Sequence, residues 1–427
     1  MLLRSFESFE KTENGYLIHG DAADVKLVFM TDDIIRIRVH FDKGTPMEEE
    51  SYTLVTTAWE DRMDTLLKDE RTRITALDVP CAEDEKTLTF ETAHVTLKLF
   101  KKPFHFELFD KSGKLIYQDL RERAFEKDQI GRLSHFSKVD REFDHFYGFG
   151  EKTGHLDKKG RRLRMSPKDA IGHDPETGDP MYKHIPFYIR VNEHDLRPVG
   201  LFYHNSYDCV FDLGEELSGY WERYCYYQTD GGDIDLFLLA GETLPEILNE
   251  YTLLTGRSAL PTKQSLGYCA STMYYAELEK NCDEEIYKVI DKHEKEGILI
   301  DNFWLASGYS SGEKDNLRYV FNWNYKRFPE PEKFFENMKA RGINVIPNLK
   351  PGVLKHHPTS TCLKRTMSLS RPRTVRLRTM AAGGAARDAS STSPAPMAAT
   401  PGSNCWKRTS SKRAPRPSGT TTARWTA

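Results

Sequence analysis

Five side chains stand where a short apolar run gives way to a polar segment: Met273, Ser307, Tyr309, Asn348 and Lys350. If those runs are parallel strands closing toward a barrel, all five sit at its carboxyl end, the end at which such folds hold their ligands. The set contains no catalytic group, so what it offers is substrate binding. Each residue has a plain structural alternative: Met273, Ser307 and Tyr309 as packing or turn residues, Asn348 and Lys350 as caps or solvated loop groups. A sixth candidate, Asp169, lies far upstream in a loop, where an Asx-turn is its ordinary use. Other chemistries fall away quickly. His356 and His357 are adjacent and have no further ligands at metal spacing, and the seven cysteines are scattered without a CxxC pair. That argues against a zinc site and against a disulfide framework. Asp283 and Glu284 open a helix and serve its dipole, and Glu313, Lys314 and Asp315 read as a solvated loop.

The elements that must position these residues come in two kinds. From about Val25 to Ala240 the chain shows short β-branched or alternating runs, among them Val25–Phe29, Ile34–Val39, Thr87–Leu99, Phe104–Phe109 and Ile234–Leu239, with polar turns between them. Such a series predicts an antiparallel β-sandwich. After Pro261 the pattern becomes a strand over Ser265–Ala270, a helix over Asp283–Glu296, a strand over Ile298–Leu305, a helix over Pro331–Ala340 with Phe334, Phe335 and Met338 on one face, and a strand over Ile343–Leu349. A β-α-β-α-β order begins either an α/β barrel or a doubly wound sheet. A complete barrel takes eight strands and about 250 residues, far more than the interpretable sequence that follows Pro261. The expected domains are therefore 1–245, an N-terminal sandwich; 246–358, an incomplete β/α barrel with its first three strands; and 359–427, a disordered tail.

Charge marks the last boundary sharply. The chain carries 61 Lys+Arg and 64 Asp+Glu, yet residues 359–427 hold 13 of the basic residues and a single acid, Asp388, which makes the tail formally +12 and the body −15. The tail has ten Ser and twelve Thr but no Phe, Tyr, Ile, Glu, Gln or His. Too little apolar surface is present to offset the entropy of ordering it. A basic arm for nucleic acid, a disordered linker and an out-of-frame translation are the three readings. An acidic body without a recognition fold makes a poor nucleic-acid binder, so no nucleic-acid partner is expected. No apolar run approaches the roughly 18 residues of a membrane span, and Met1–Glu10 lacks the apolar core of a secretory signal; no membrane association and a cytoplasmic location are expected.

Specific residues carry a resemblance. Tyr147-Gly-Phe-Gly-Glu151, then Asp169-Ala170, then Tyr182-Lys-His-Ile-Pro-Phe187, followed by Leu266-Gly267, Phe321-Asn-Trp-Asn324 with Arg327-Phe-Pro-Glu-Pro331, and Gly342-Ile-Asn-Val-Ile-Pro347, resemble in kind and order the motifs of glycoside hydrolase family 31, the retaining α-glucosidases and α-xylosidases. The resemblance covers roughly residues 25 to 358. It implies a galactose-mutarotase-like β-sandwich before a (β/α)8 barrel, an α-linked oligosaccharide or glycoside as substrate, and no cofactor or metal. It also implies roles: Met273 stands where many members carry a sugar-stacking Trp, Asp169 lies on the sandwich loop that leans over the pocket, and Ser307 and Tyr309 occupy the second-strand site. There the chain departs from the family, with Ala306-Ser-Gly-Tyr309 in place of Asp-x-Asp-Tyr, so the carboxylate that grips the sugar hydroxyls is missing and a rearranged pocket is expected.

Retaining glycosidases use two carboxylates about 5 Å apart, which the resemblance would place at the ends of the fourth and sixth barrel strands. Asp388, the only acid after Pro358, has no such context. The genetic code tests the out-of-frame reading. With codons taken one base earlier, Gly419-Thr-Thr-Thr-Ala-Arg-Trp-Thr426 permits Trp-Asn-Asp-Asn-Gly-Glu-Met-Asp, which resembles the family's nucleophile motif. At the same offset, the segment from Ala381 to Pro394 permits Gly-Arg-Trp-Trp-Gly-Gly-Pro-Gly-Arg-Phe-Val-Asp-Phe-Thr, similar to what precedes that motif. Two matches at one offset in the right order favour a frame lost near Pro358. The expectation is a fragment of a retaining α-glycoside hydrolase, inactive as written, with a non-catalytic carbohydrate-binding protein as the alternative.

Overall fold

The computed structural model describes residues 1–349 apart from 68–70 and 195, together with Leu354 and His357. Lys350, His356 and the whole of the expected tail, 359–427, lie outside the described residues. The chain divides into two compact units, Met1–Arg257 and the stretch from Ser258 onward.

The first unit is the expected sandwich. An eight-stranded antiparallel sheet runs in spatial order through Phe6–Thr12, Gly15–Gly20, Asp24–Phe29, Ile34–His40, Ile234–Ala240, Pro198–Tyr203, His184–Asn192 and Asp144–Gly150. Two five-stranded sheets share its core, which draws Val25, Leu27 and Ile37 from the large sheet, Leu97 and Phe106 from the second, and Leu163, Phe211 and Tyr227 from the third. Alternation decides which side chains enter it. In Val95–Lys101 the buried Val95, Leu97 and Leu99 alternate with half-exposed Thr96 and Lys98, as a period of two requires. The run read as one strand over Thr87–Leu99 is a hairpin of Thr87–Glu91 and Val95–Lys101, because the Thr92 hydroxyl accepts from the amides of His94 and Val95 and closes a turn.

The helix Leu244–Thr255 also belongs to this unit, which therefore runs to Arg257, past the expected boundary at 245. Thr243 and Glu246 form a reciprocal capping box at its start. Its buried face, Ile247 and Leu254, packs with Phe202, Phe237 and Leu239 on the large sheet. The apolar side of this helix has its partner in the sandwich, and that fixes its allegiance.

The second unit begins a barrel. Cys269–Thr272, Asn302–Leu305 and Asn344–Pro347 form a parallel sheet in that order. The helices Cys282–Lys295 and Pro331–Ala340 connect them and pack Ile286, Ile290, Phe334 and Met338 against Ala270, Phe303 and Leu305. The expected strand over Ser265–Ala270 is displaced. Thr262 caps a short 3-10 turn over Lys263–Leu266, and the first strand starts only at Cys269. The second strand is likewise shorter than the apolar run, since Ile298 and Leu299 precede it and are exposed. Both helices cover the same face. On the other, Ser271, Trp304 and Ile346 lie in register, and Trp304 is 46% exposed. One-sided cover by both helices is what the first strands of a barrel show. Among the described residues, no helix is long and apolar enough to cross a membrane.

Candidate active site

At the carboxyl ends of the three barrel strands the chain builds a hydrogen-bonded platform. The Asn348 amide donates to Leu305 O (2.9 Å), and the Tyr309 hydroxyl donates to Asn348 O (3.1 Å). Tyr309 is buried, its ring 4.7 Å from that of Trp323, and burial pushes its phenol up to about 12. It remains a neutral donor at physiological pH. The buried Arg327 donates from Nη1 to Gly308 O (3.0 Å) and to Ser311 Oγ (2.9 Å), and from Nη2 to Asn316 Oδ1 (3.1 Å). Asn324 donates from Nδ2 to Ser311 Oγ (3.0 Å) and from its amide to Tyr309 O (2.7 Å). The segment Phe321-Asn-Trp-Asn324 with Arg327 is thus an internal brace whose function is to hold the loop over residues 306–311. Sequence reading noticed these residues as a motif and missed that role. An Arg and an Asn flanked by aromatics, close in sequence to a Gly-Tyr loop, were the available signal.

The expected site residues separate accordingly. Ser307 is buried, its hydroxyl accepting from Arg318 Nε (3.2 Å), while Arg318 also pairs with Glu277. Tyr309 and Ser307 are brought together in one loop and spend their polar groups on protein partners. Met273, 61% exposed, opens the short helix Met273–Glu277 at the end of the first strand. The Asn348 side chain is exposed beyond the third strand. Asp169 lies in the first unit, where its carboxylate accepts from the Tyr182 hydroxyl (2.6 Å). Lys350 lies outside the described residues. Of the nearby carboxylates, Glu277 is engaged by Arg318, Glu313 by the Tyr325 amide (3.1 Å), and Asp315 by the Tyr319 hydroxyl. Among the described residues no group of three or more His, Cys, Asp or Glu is placed to hold a metal ion.

The first unit holds an array that sequence spacing could not suggest. Ser51 Oγ lies 2.7 Å from His204 Nε2, and His204 Nδ1 lies 3.1 Å from Asp235 Oδ2. This has the connectivity of a nucleophile triad, but its surroundings suit a scaffold. Ser51 is buried and its Oγ accepts from the amides of Leu54 (3.0 Å) and Thr53 (3.3 Å). Asp235 is committed to Arg36, which donates to both its oxygens (2.7 and 2.8 Å), to both oxygens of Glu49 (3.1 and 2.8 Å), and stacks 3.9 Å over Trp59. Burial pushes the Asp235 carboxyl up, but Arg36 and then His204 outweigh it and hold the group far below the usual carboxylate range. The array ties the segment around Ser51 to the large sheet.

The sandwich motif Tyr147-Gly-Phe-Gly150 is a bulge. Gly148, Phe149 and Gly150 all have positive φ (132°, 71° and 75°), and the register with His184–Asn192 slips between Gly148 and Gly150. A Cβ at Gly148 would stand 2.7 Å from Phe187 O. The bulge turns Phe149 fully inward, where it stacks on Tyr188 at 4.9 Å, a re-aiming that bulges commonly provide.

Comparison with known proteins agrees with this geometry. Residues 24–212 match the glycosyl hydrolase 31 N-terminal galactose mutarotase-like domain, and residues 258–388 match the glycosyl hydrolases family 31 TIM-barrel domain. Alpha-glucosidase 2 of Bacillus thermoamyloliquefaciens is 31% identical over 351 residues, which are 82% of this chain and 40% of the relative. The alpha-xylosidase XylQ of Lactiplantibacillus pentosus is 29% identical over 213 residues, 50% of this chain and 25% of the relative. A dextranase of Flavobacterium johnsoniae, solved with glucose, superposes with a TM-score of 0.69 at 21% identity over 87% of this chain and 41% of its own. The chain thus spans well under half the length of these relatives. With the sandwich and the first barrel strands matched in tandem and in order, the chain belongs to glycoside hydrolase family 31.

Proposed function

We propose that the gene behind this chain encodes a retaining α-glycoside hydrolase acting on α-glucosides or closely related sugars, and that the polypeptide as written is inactive because its frame departs near Pro358. The tandem of matched domains carries the reading, and relatives named as an alpha-glucosidase, an alpha-xylosidase and a dextranase support the substrate class. The reaction requires two carboxylates about 5 Å apart. The sequence after Pro358 offers only Asp388. In the intact enzyme the sugar would meet the carboxyl ends of the strands, with the Met273 and Asn348 side chains open to it and the braced loop of Ser307 and Tyr309 supporting them. The loop's departure from the family pattern has a steric side: a Cβ on Gly308 would lie 2.2 Å from Ala276 O. The sugar-gripping carboxylate of that pattern is its first Asp, which falls at Ala306 in this chain, so a pocket with different hydroxyl contacts is the proposal for this branch. A cytoplasmic site of action belongs to the same proposal.

The test is to sequence message from the Asn348 codon through that of Ala427 and beyond, restore the frame by one base, and assay both chains on 4-nitrophenyl α-glucoside and α-xyloside. The restored enzyme is expected to cleave with retention and the written chain to give none. Hydrolysis by the written chain, or a restored chain that binds sugar without cleaving it, overturns the reading; the latter leaves a carbohydrate-binding protein.

A further inference from the structure

The second unit is finished on one face of its sheet and open on the other. The helices Cys282–Lys295 and Pro331–Ala340 bury Ala270, Phe303 and Leu305 on the covered face. On the opposite face Ser271 is exposed, Trp304 is 46% exposed and Ile346 is half-buried, all three in register. At the amino ends of the strands the chain closes its own floor. The buried Asn302 donates from Nδ2 to Gln264 O (2.6 Å), and Gln264 donates from Nε2 to Gly342 O (2.8 Å). To the sides, Cys269–Thr272 and Asn344–Pro347 each pair with a single neighbour among the described strands, and both pairings are parallel.

Each of these features narrows what can cover the open side. A bare indole between a serine and an isoleucine, on a sheet whose other face is a closed core, resembles the cut surface of a domain core, which is what obligate partners bury. Edges that pair in parallel call for strands arriving in the same direction, each with its own crossover helix. One added strand satisfies one edge and leaves the other open. A second copy of this chain brings three more strands, which makes six where closure takes eight. The occupant that pairs with both edges and covers Trp304 at the same time is an arc of five parallel strands with its helices outside. The match of this unit to a TIM-barrel domain is the independent sign that its strands belong to such a ring.

We infer that the open side of the second unit is a docking surface for a separate polypeptide carrying the other five barrel strands, so that the written chain is the preformed first part of a barrel assembled from two chains. The inference rests on the lost-frame reading for the source of that partner and is independent of the chemistry of the assembled site. The test is to produce the polypeptide encoded downstream of the Pro358 codon in the restored frame together with the full written chain, and to follow association by gel filtration with light scattering and by hydrogen exchange. A one-to-one complex is expected, with slower exchange at the amides of residues 269–272 and 344–346 than in the chain alone. Trp304→Glu, at an uncovered position, is expected to weaken the complex about tenfold or more, and Tyr220→Glu, at a 93% exposed residue of the sandwich, to leave it unchanged. Exchange in the parent chain requires no variant and decides the case where Trp304→Glu alters the fold. No complex, a complex without protection of those two strands, or self-association of the written chain through them would overturn the inference, and a gene without such a frame overturns it together with the lost-frame reading. A protected one-to-one complex that leaves 4-nitrophenyl α-glucoside and α-xyloside uncleaved upholds the docking and overturns the hydrolase reading alone; one that cleaves either upholds both.

Discussion

Phe149 offers a substitution pair whose order inverts the ordinary rule. At most buried positions Gly is worse than Ala, through the lost methyl, about 0.8 kcal/mol, and through backbone entropy, about 0.5–1 kcal/mol. Phe149 is fully buried between Tyr188 and Phe211, with ring centroids at 4.9 and 5.2 Å, and its φ is 71°. Removing its ring should cost about 3–5 kcal/mol in either variant. Ala keeps the left-handed backbone penalty of about 1–2 kcal/mol, whereas Gly is free of it. Phe149→Gly is therefore expected to equal Phe149→Ala or to be more stable by up to about 1 kcal/mol. Phe146, in the same strand, fully buried and without a positive φ, is the control; there Gly should be worse than Ala by about 1 kcal/mol or more. The assay is urea unfolding of all four variants followed by far-UV circular dichroism, comparing midpoints of the sandwich transition. If Gly is worse than Ala by the same margin at both positions, the bulge does not hold Phe149 in the strained conformation and the reasoning fails.

Three further outcomes are expected. Asp235→Asn leaves Arg36 and His204 facing a neutral group in a buried network and should cost about 3–5 kcal/mol, read as a drop in unfolding midpoint. Because the folded Asp235 carboxyl titrates below its unfolded value, its stabilisation is present above about pH 4 and fades as pH falls toward the folded pKa; the gap between parent and variant should hold at pH 6–8 and narrow below about pH 4, and a gap independent of pH would count against the ion pair. Tyr309→Phe removes one hydrogen bond to Asn348 O and should cost about 1 kcal/mol, while Tyr309→Ala, which also empties the space beside Trp323, should cost about 3–5 kcal/mol; equal losses would show that the ring contributes nothing to the brace. Arg327→Met unties Gly308, Ser311 and Asn316 together, so limited proteolysis is expected to cut within residues 306–316 faster than in the parent, and an unchanged cleavage pattern would remove Arg327 from that role.

Much of this architecture was legible in the residue pattern, and the places where it was not have physical causes. Pro331–Ala340 could be bounded from its proline start and its Phe334 and Met338 stripe, and the helix has those limits. The Thr87–Leu99 run could not be divided, because the turn at Thr92 is made by a side-chain hydroxyl and not by a glycine or proline. The start of the first barrel strand was misplaced for a similar reason: Thr262 caps a turn over Lys263–Leu266 that takes up the start of the expected run. The helix Leu244–Thr255 falls across the expected boundary at 245, and its allegiance depends on Phe202 and Phe237, which meet it only through tertiary packing. Ser307 and Tyr309 were legible as members of a loop at the second strand's end, and their internal partners Arg318, Asn324 and Trp323 were not, since those bonds cross the loop in space. The Ser51, His204 and Asp235 array joins residues separated by long stretches of chain, which no local pattern records.

The one-sided cover of the barrel strands bears on the fate of any product that stops short of the remaining strands. Cys269–Thr272 and Asn344–Pro347 each present an edge with no neighbour among the described strands, and Trp304 lies bare on the face away from the helices. Unpaired edges beside exposed aromatic surface are what chaperones hold and proteases cut. The sandwich, in contrast, closes its own core between its sheets. Quality control acting on that surface would trim the second unit first and leave the residues up to about 257, the part that closes its own core.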